Sequence, residues 1–129
     1  MKVNELRIGN IIETPMGCQS IGGVCQAETP YIRLEGNMHI GYRLTNCKPI
    51  PLTEEILLKC GFEIKPDSAL PTFVYNGRLD LQVEFMLGKY SFRIEVENRH
   101  TTFVRVVDYL HQLQNLYFAI TGEELRVEL

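Results

Sequence analysis

No apolar run in this 129-residue chain approaches the length needed to cross a bilayer. The opening MKVNELRIGN also lacks the apolar core of a secretory signal, so a cytoplasmic protein without membrane association is expected. Closely spaced cysteine pairs are missing. Six residues intervene between Cys18 and Cys25, and Cys47 and Cys60 stand further apart, so no zinc knuckle can be drawn and no metal is expected. In a reducing compartment the four are read as small buried thiols. There is no P-loop, no GxGxxG and no HExxH, which leaves no nucleotide, dinucleotide or metalloprotease motif and no cofactor to expect. An excess of positive charge is absent as well. The net charge of −3 offers no long-range attraction to nucleic acid or to acidic membranes.

What remains is an ordinary globular composition, 45% hydrophobic and 22% charged, which argues against disorder. A chain of this length hides roughly two-thirds of its unfolded surface, enough for a core without staples. Between residues 4 and 50, short apolar runs alternate with turn signals at Gly9-Asn10, Pro15-Met16-Gly17, Gly22-Gly23, Thr29-Pro30, Gly36-Asn37 and Gly41. Five short strands at that spacing predict a small β-barrel. Pro49-Ile50-Pro51 reads as an extended exit from it. Thr53 is a predicted N-cap, Glu54 and Glu55 suit the positive end of the following helix, and Gly61 suits its stop.

Beyond residue 72 the alternation is clean. LDLQVEF and YSFRIEVE each place their apolar residues on one face, and the turn Met86-Leu87-Gly88-Lys89 sets Phe85 opposite Tyr90, Val83 opposite Phe92, Leu81 opposite Ile94 and Leu79 opposite Val96. A two-residue Asn76-Gly77 turn would pair Val74 with Leu79 and send Phe73 and Tyr75 to the polar face. A three-residue Asn98-Arg99-His100 loop would put Thr102, Val104 and Val106 on the apolar face and Phe103 on the other. The helix predicted over Asp108–Thr121 ends at Gly122. Its stripe Leu110, Leu113, Leu116, Tyr117 and Ile120 would cover the meander. Residues 124–129 alternate like a last short strand.

Four groups of residues compete for function. Phe73, Tyr75 and Phe103, stranded on a polar face, would form a surface for a protein partner. The second stripe of the long helix, His111, Gln114, Asn115 and Phe118, is read first as a polar seam between packed layers and only then as a recognition surface. Tyr31, Arg33, Tyr42 and Arg43 could stack on and neutralise a nucleic acid, although Glu28 and Glu35 interleave with them and disfavour it. Asp108 and His111 stand at helical spacing, as a small hydrolase could use them. No Ser or Cys nucleophile accompanies them, so no catalytic residue is assigned.

Three stretches, VNELRIGN at 3–10, PIPLTEEILLKCGF at 49–62 and HQLQNLYFAITGEEL at 111–125, together resemble a family of small uncharacterised proteins found in Bacteroidetes genomes and their prophages and mobile elements. That family carries no assigned activity, so the resemblance implies an origin and transfers no site residue. The first stretch also resembles the first strand of SH3-like barrels.

The expected architecture is α+β. Residues 1–50 form a small SH3-like β-barrel. Residues 51–129 form a short helix and a four-stranded antiparallel meander packed by one C-terminal helix, the two parts making one compact unit. The expected function is a non-enzymatic interaction module of phage or mobile-element origin, binding a protein partner, as monomer or homodimer. Nucleic-acid binding through the barrel is the alternative, and a hydrolase built on Asp108 and His111 the third.

Overall fold

The structure is a computed structural model that describes residues 1–66, 69–76, 80–96 and 100–129, the side chains of residues 76, 80, 95, 96 and 100–104 excepted. It is α+β, with two antiparallel sheets and a C-terminal helix. The chain divides into two compact units, Met1–Pro51 with Tyr109–Leu125, and Leu52–Asp108 with Arg126–Leu129.

The first unit holds β1 (Ile11–Thr14), β2 (Gly17–Cys25), β3 (Tyr31–Leu34) and β4 (Asn37–Arg43), paired in that order, where the sequence predicts five strands and a barrel. The sheet does not close on itself. Inward residues follow the two-residue period of a half-buried strand: Ile12, Ile21, Ile32 and Leu34 join Leu6, Leu44 and Cys47 in one core. Gly22-Gly23, read from sequence as a turn, lies inside β2 at a register irregularity. A Cβ at Gly22 would sit 2.6 Å from the Met38 sulfur and 2.7 Å from the Glu35 Cα. Gly41 is likewise a strand residue, with the Tyr31 ring 3.1 Å from where its Cβ would be.

The helix α2 (Leu110–Thr121) belongs to this first unit, not to the meander that its apolar stripe was expected to cover. It stops at Gly122, whose φ of 74° supplies the predicted left-handed cap. Its start is Tyr109 rather than Asp108, with the Gln112 side chain accepting the Tyr109 N–H at 3.2 Å. The buried stripe is Leu110, His111, Leu113, Gln114 and Tyr117, so it includes half of the polar stripe.

In the second unit, α1 (Glu54–Lys59) begins where Thr53 accepts the Ile56 N–H at 3.2 Å. It ends before Gly61, which takes φ 90°. Then come β5 (Phe62–Ile64), β6 (Thr72–Asn76), β7 (Asp80–Met86), β8 (Lys89–Val96) and β9 (His100–Val107), a five-stranded sheet in sequence order where the sequence predicts four. The central hairpin keeps the predicted register, Phe85 to Tyr90, Val83 to Phe92 and Leu81 to Ile94. Its turn carries Leu87 at φ 52° and Gly88 at φ 76°. The left-handed conformation costs a non-glycine residue roughly 1–2 kcal/mol.

The two outer registers differ from expectation. Asn76 pairs with Asp80, so the β6–β7 pairing is displaced by an odd number of residues, and Thr72, Phe73, Val74 and Tyr75 change face. Phe73 now pairs with Val83 and Tyr75 with Leu81, both on the apolar face. On the other side an irregularity between Ile94 and Glu95 sets Phe103 opposite Ile94 and Val106 opposite Ser91. Leu79, the Gly77 position of the expected turn, the Asn98-Arg99 segment and the Phe103 side chain lie outside the described residues. The final residues 124–129 form no strand; Glu128 donates its N–H to the Lys59 carbonyl at 3.0 Å.

Candidate functional site

Of the aromatic surface expected from sequence, Phe73 and Tyr75 do not lie on a polar face. Phe73 is 3% exposed in the core of the second unit, its ring 6.4 Å from that of Tyr90. Tyr75 is half-buried and packs 5.3 Å from the Phe62 ring. Its edge emerges in a groove of about 530 Å³, with Leu58, Cys60 and Gly61 beside it and Glu55, Lys59, Arg126 and Glu128 at the rim. Glu55 and Lys59 form an ion pair of 3.1 Å one helical turn apart. Burial pushes the Cys60 thiol up to about 12, so it is no nucleophile at neutral pH.

Beside that groove runs β5, an open edge of the sheet. The Lys65 N–H reaches the Thr72 carbonyl at 2.8 Å. The alternation of an antiparallel ladder then turns the backbone groups of Phe62 and Ile64 away from β6, and of these two residues Phe62 is buried and Ile64 exposed. The Ile64 side chain is 54% exposed and Leu58 is exposed too. Sequence reasoning missed β5 because its alternation, Phe62-Glu63-Ile64, lasts only three residues after a helix stop.

The polar stripe of α2 is occupied within its own unit. Gln114 accepts the Ile11 N–H at 2.9 Å and donates to the Gly9 carbonyl at 3.2 Å. Asn115 accepts from the Asn10 amide at 2.8 Å and donates to the Glu5 carbonyl at 2.7 Å. The Arg7 guanidinium lies 4.2 Å above the centre of the Phe118 ring and grips Glu124 with two nitrogens. The amides thus satisfy backbone groups at and before the start of β1, the Ile11 N–H and the Glu5 and Gly9 carbonyls.

His111 is the exception. It is 1% exposed, stacked on Tyr109 with centroids 5.9 Å apart, and neither ring nitrogen has a hydrogen-bond partner. The Glu5 carboxylate, 3.7 Å from Nε2, stands beyond hydrogen-bond reach. Burial pulls the imidazole below its ordinary 6.5, and the N-terminal ammonium adds to this, while Glu5 opposes it. The unfolded chain therefore binds a proton that the folded chain resists, and stability falls as pH drops through 6.5 towards the lower folded value. Thermal melts between about pH 7 and about pH 5 should show this loss in the wild type and a flatter profile in His111→Leu. The Asp108 carboxylate pairs with Lys89 at 3.1 Å.

The proposed nucleic-acid strip is split between two faces. Tyr31 pairs with Arg43 and Ile32 with Tyr42, so Tyr31, Arg33 and Arg43 share the outer face while Tyr42 packs on the core. Arg33 sits 5.8 Å from the Tyr31 ring and donates to the Met38 carbonyl. The two tyrosines cannot serve as one stacking platform. Among the described residues no cluster could hold a metal, and no helix is long and apolar enough to cross a membrane. Cys47 and Cys60 are buried as expected, Cys25 is half-buried, and Cys18 is exposed.

No protein family matches this chain, nor does any curated protein or solved structure.

Proposed function

We propose that the chain is a non-enzymatic interaction module that binds a protein partner, taking an extended peptide segment along the open edge of β5. The observation that carries this reading is the coincidence of three features. Outward backbone groups at the exposed Ile64 offer strand pairing, the Ile64 side chain offers an apolar contact, and the Leu58–Tyr75 groove beside them accepts a second one. In strand addition the main chain supplies affinity and alternate side-chain pockets supply selectivity. The rim carries both signs, so the partner segment is expected to be apolar with few charges.

Panning a random peptide library against the full chain tests this. Binders should share an apolar residue at alternate positions, and Leu58→Asp with Ile64→Lys should weaken them about tenfold or more while leaving the melt unchanged, since both side chains are exposed. Binders that ignore both substitutions, or no binders at all, would refute the reading.

A further inference from the structure

We propose that the chain also self-associates through the tip of the β7–β8 hairpin, with a second copy of the same chain as the occupant. This surface is separate from the β5 edge and stands or falls independently of it. Leu87 is 94% exposed and holds a left-handed backbone that asparagine or glycine would hold more cheaply. Nothing in the packing of the monomer asks for leucine there, and an exposed apolar side chain in a strained position points outward to a partner. Its surroundings extend the patch. Met86 and Val106 are exposed, and so is Leu70, held near the hairpin by the Phe85 N–H bond to the Pro71 carbonyl of 2.9 Å.

The choice of occupant rests on charge. Within this patch Lys89 and Asp108 lie 3.1 Å apart, both largely exposed. One charge of each sign favours neither an acidic nor a basic partner, yet it is its own complement across a two-fold axis. There Lys89 of each copy can exchange Asp108 for that of the other, around a centre where the two Leu87 side chains are covered. The patch is small, so the dimer is concentration-dependent rather than obligate.

Sedimentation equilibrium of the full chain gives the test. The weight-average mass should climb from 14.9 kDa towards twice that as concentration rises from micromolar to millimolar. Leu87→Asn should raise the dissociation constant about tenfold or more while its melting temperature holds or increases. Lys89→Asp should weaken the dimer, and Lys89→Asp combined with Asp108→Lys should restore it. A mass that stays monomeric throughout, a dimer indifferent to Leu87→Asn, or a double reversal that restores nothing would each overturn the proposal. So would a Leu87-dependent complex with a different protein in a chain that never self-associates.

Discussion

Phe73→Ala is expected to cost about 3–5 kcal/mol, the usual range for removing a buried phenylalanine. Its ring is 3% exposed, faces Val83 across the ladder and leans on Tyr90 at 6.4 Å. A small core cannot collapse around a void of that size, so cavity and transfer terms add. Against a typical total of about 5–15 kcal/mol this is a large share, and the melt should fall by roughly 10–20 °C. Urea denaturation of wild type and variant measures it directly. The substitution also discriminates between two registers for the same strand. With Phe73 on a solvent-facing polar surface, as the sequence alone suggests, the variant would unfold almost where the wild type does. Tyr75→Ala should cost less, because Tyr75 keeps one edge in the groove beside Leu58.

That contrast shows where the sequence was legible. The β7–β8 hairpin could be derived because two independent signals agree on it. The apolar alternation fixes the faces, and a turn beside Gly88 fixes the register. Thr53, Gly61 and Gly122 could be placed because each meets a local backbone demand, a cap acceptor or a positive φ, that few other residues meet. The outer strands lacked a second signal. From Phe73 to Tyr75 every residue is apolar, so periodicity cannot say which one faces inward. The decision fell to the turn, where an odd displacement reverses the answer. On the far side the irregularity between Ile94 and Glu95 has the same effect and leaves no mark in composition.

The candidate site shared this limit. Tyr75 was singled out through a register it does not have, and it nevertheless reaches the surface, beside a strand too short to show a period. Leu58 is exposed because a helix of six residues turns only one narrow stripe inward, and Leu57 occupies it. Gly22 read as punctuation because glycine usually is. Its reason here is the 2.7 Å approach of the Glu35 backbone, a tertiary fact that no local pattern carries.

The run of amides in α2 is where the second large effect is expected. Gln114→Leu keeps the bulk of the side chain and should destabilise the protein by about 2–4 kcal/mol. The leucine would leave the Ile11 N–H and the Gly9 carbonyl without the partners they have now at 2.9 and 3.2 Å, in a site where Gln114 is buried. Each orphaned buried group costs about 1–3 kcal/mol, more than a methyl contact returns. Gln114→Glu should fail as well, since a carboxylate can accept from Ile11 but cannot donate to Gly9 and would be buried with its charge. Were the stripe a recognition surface, both variants would fold normally and lose only a partner. A double-mutant cycle between Asn10→Ala and Asn115→Ala tests the adjoining bond of 2.8 Å in the same way. Its coupling energy should be about 0.5–3 kcal/mol if the amides act as one network, and near zero if they act separately. The helix carries amides instead of leucines because the segment from Glu5 to Ile11 brings it polar groups to satisfy, the Glu5 and Gly9 carbonyls, the Ile11 N–H and the Asn10 amide.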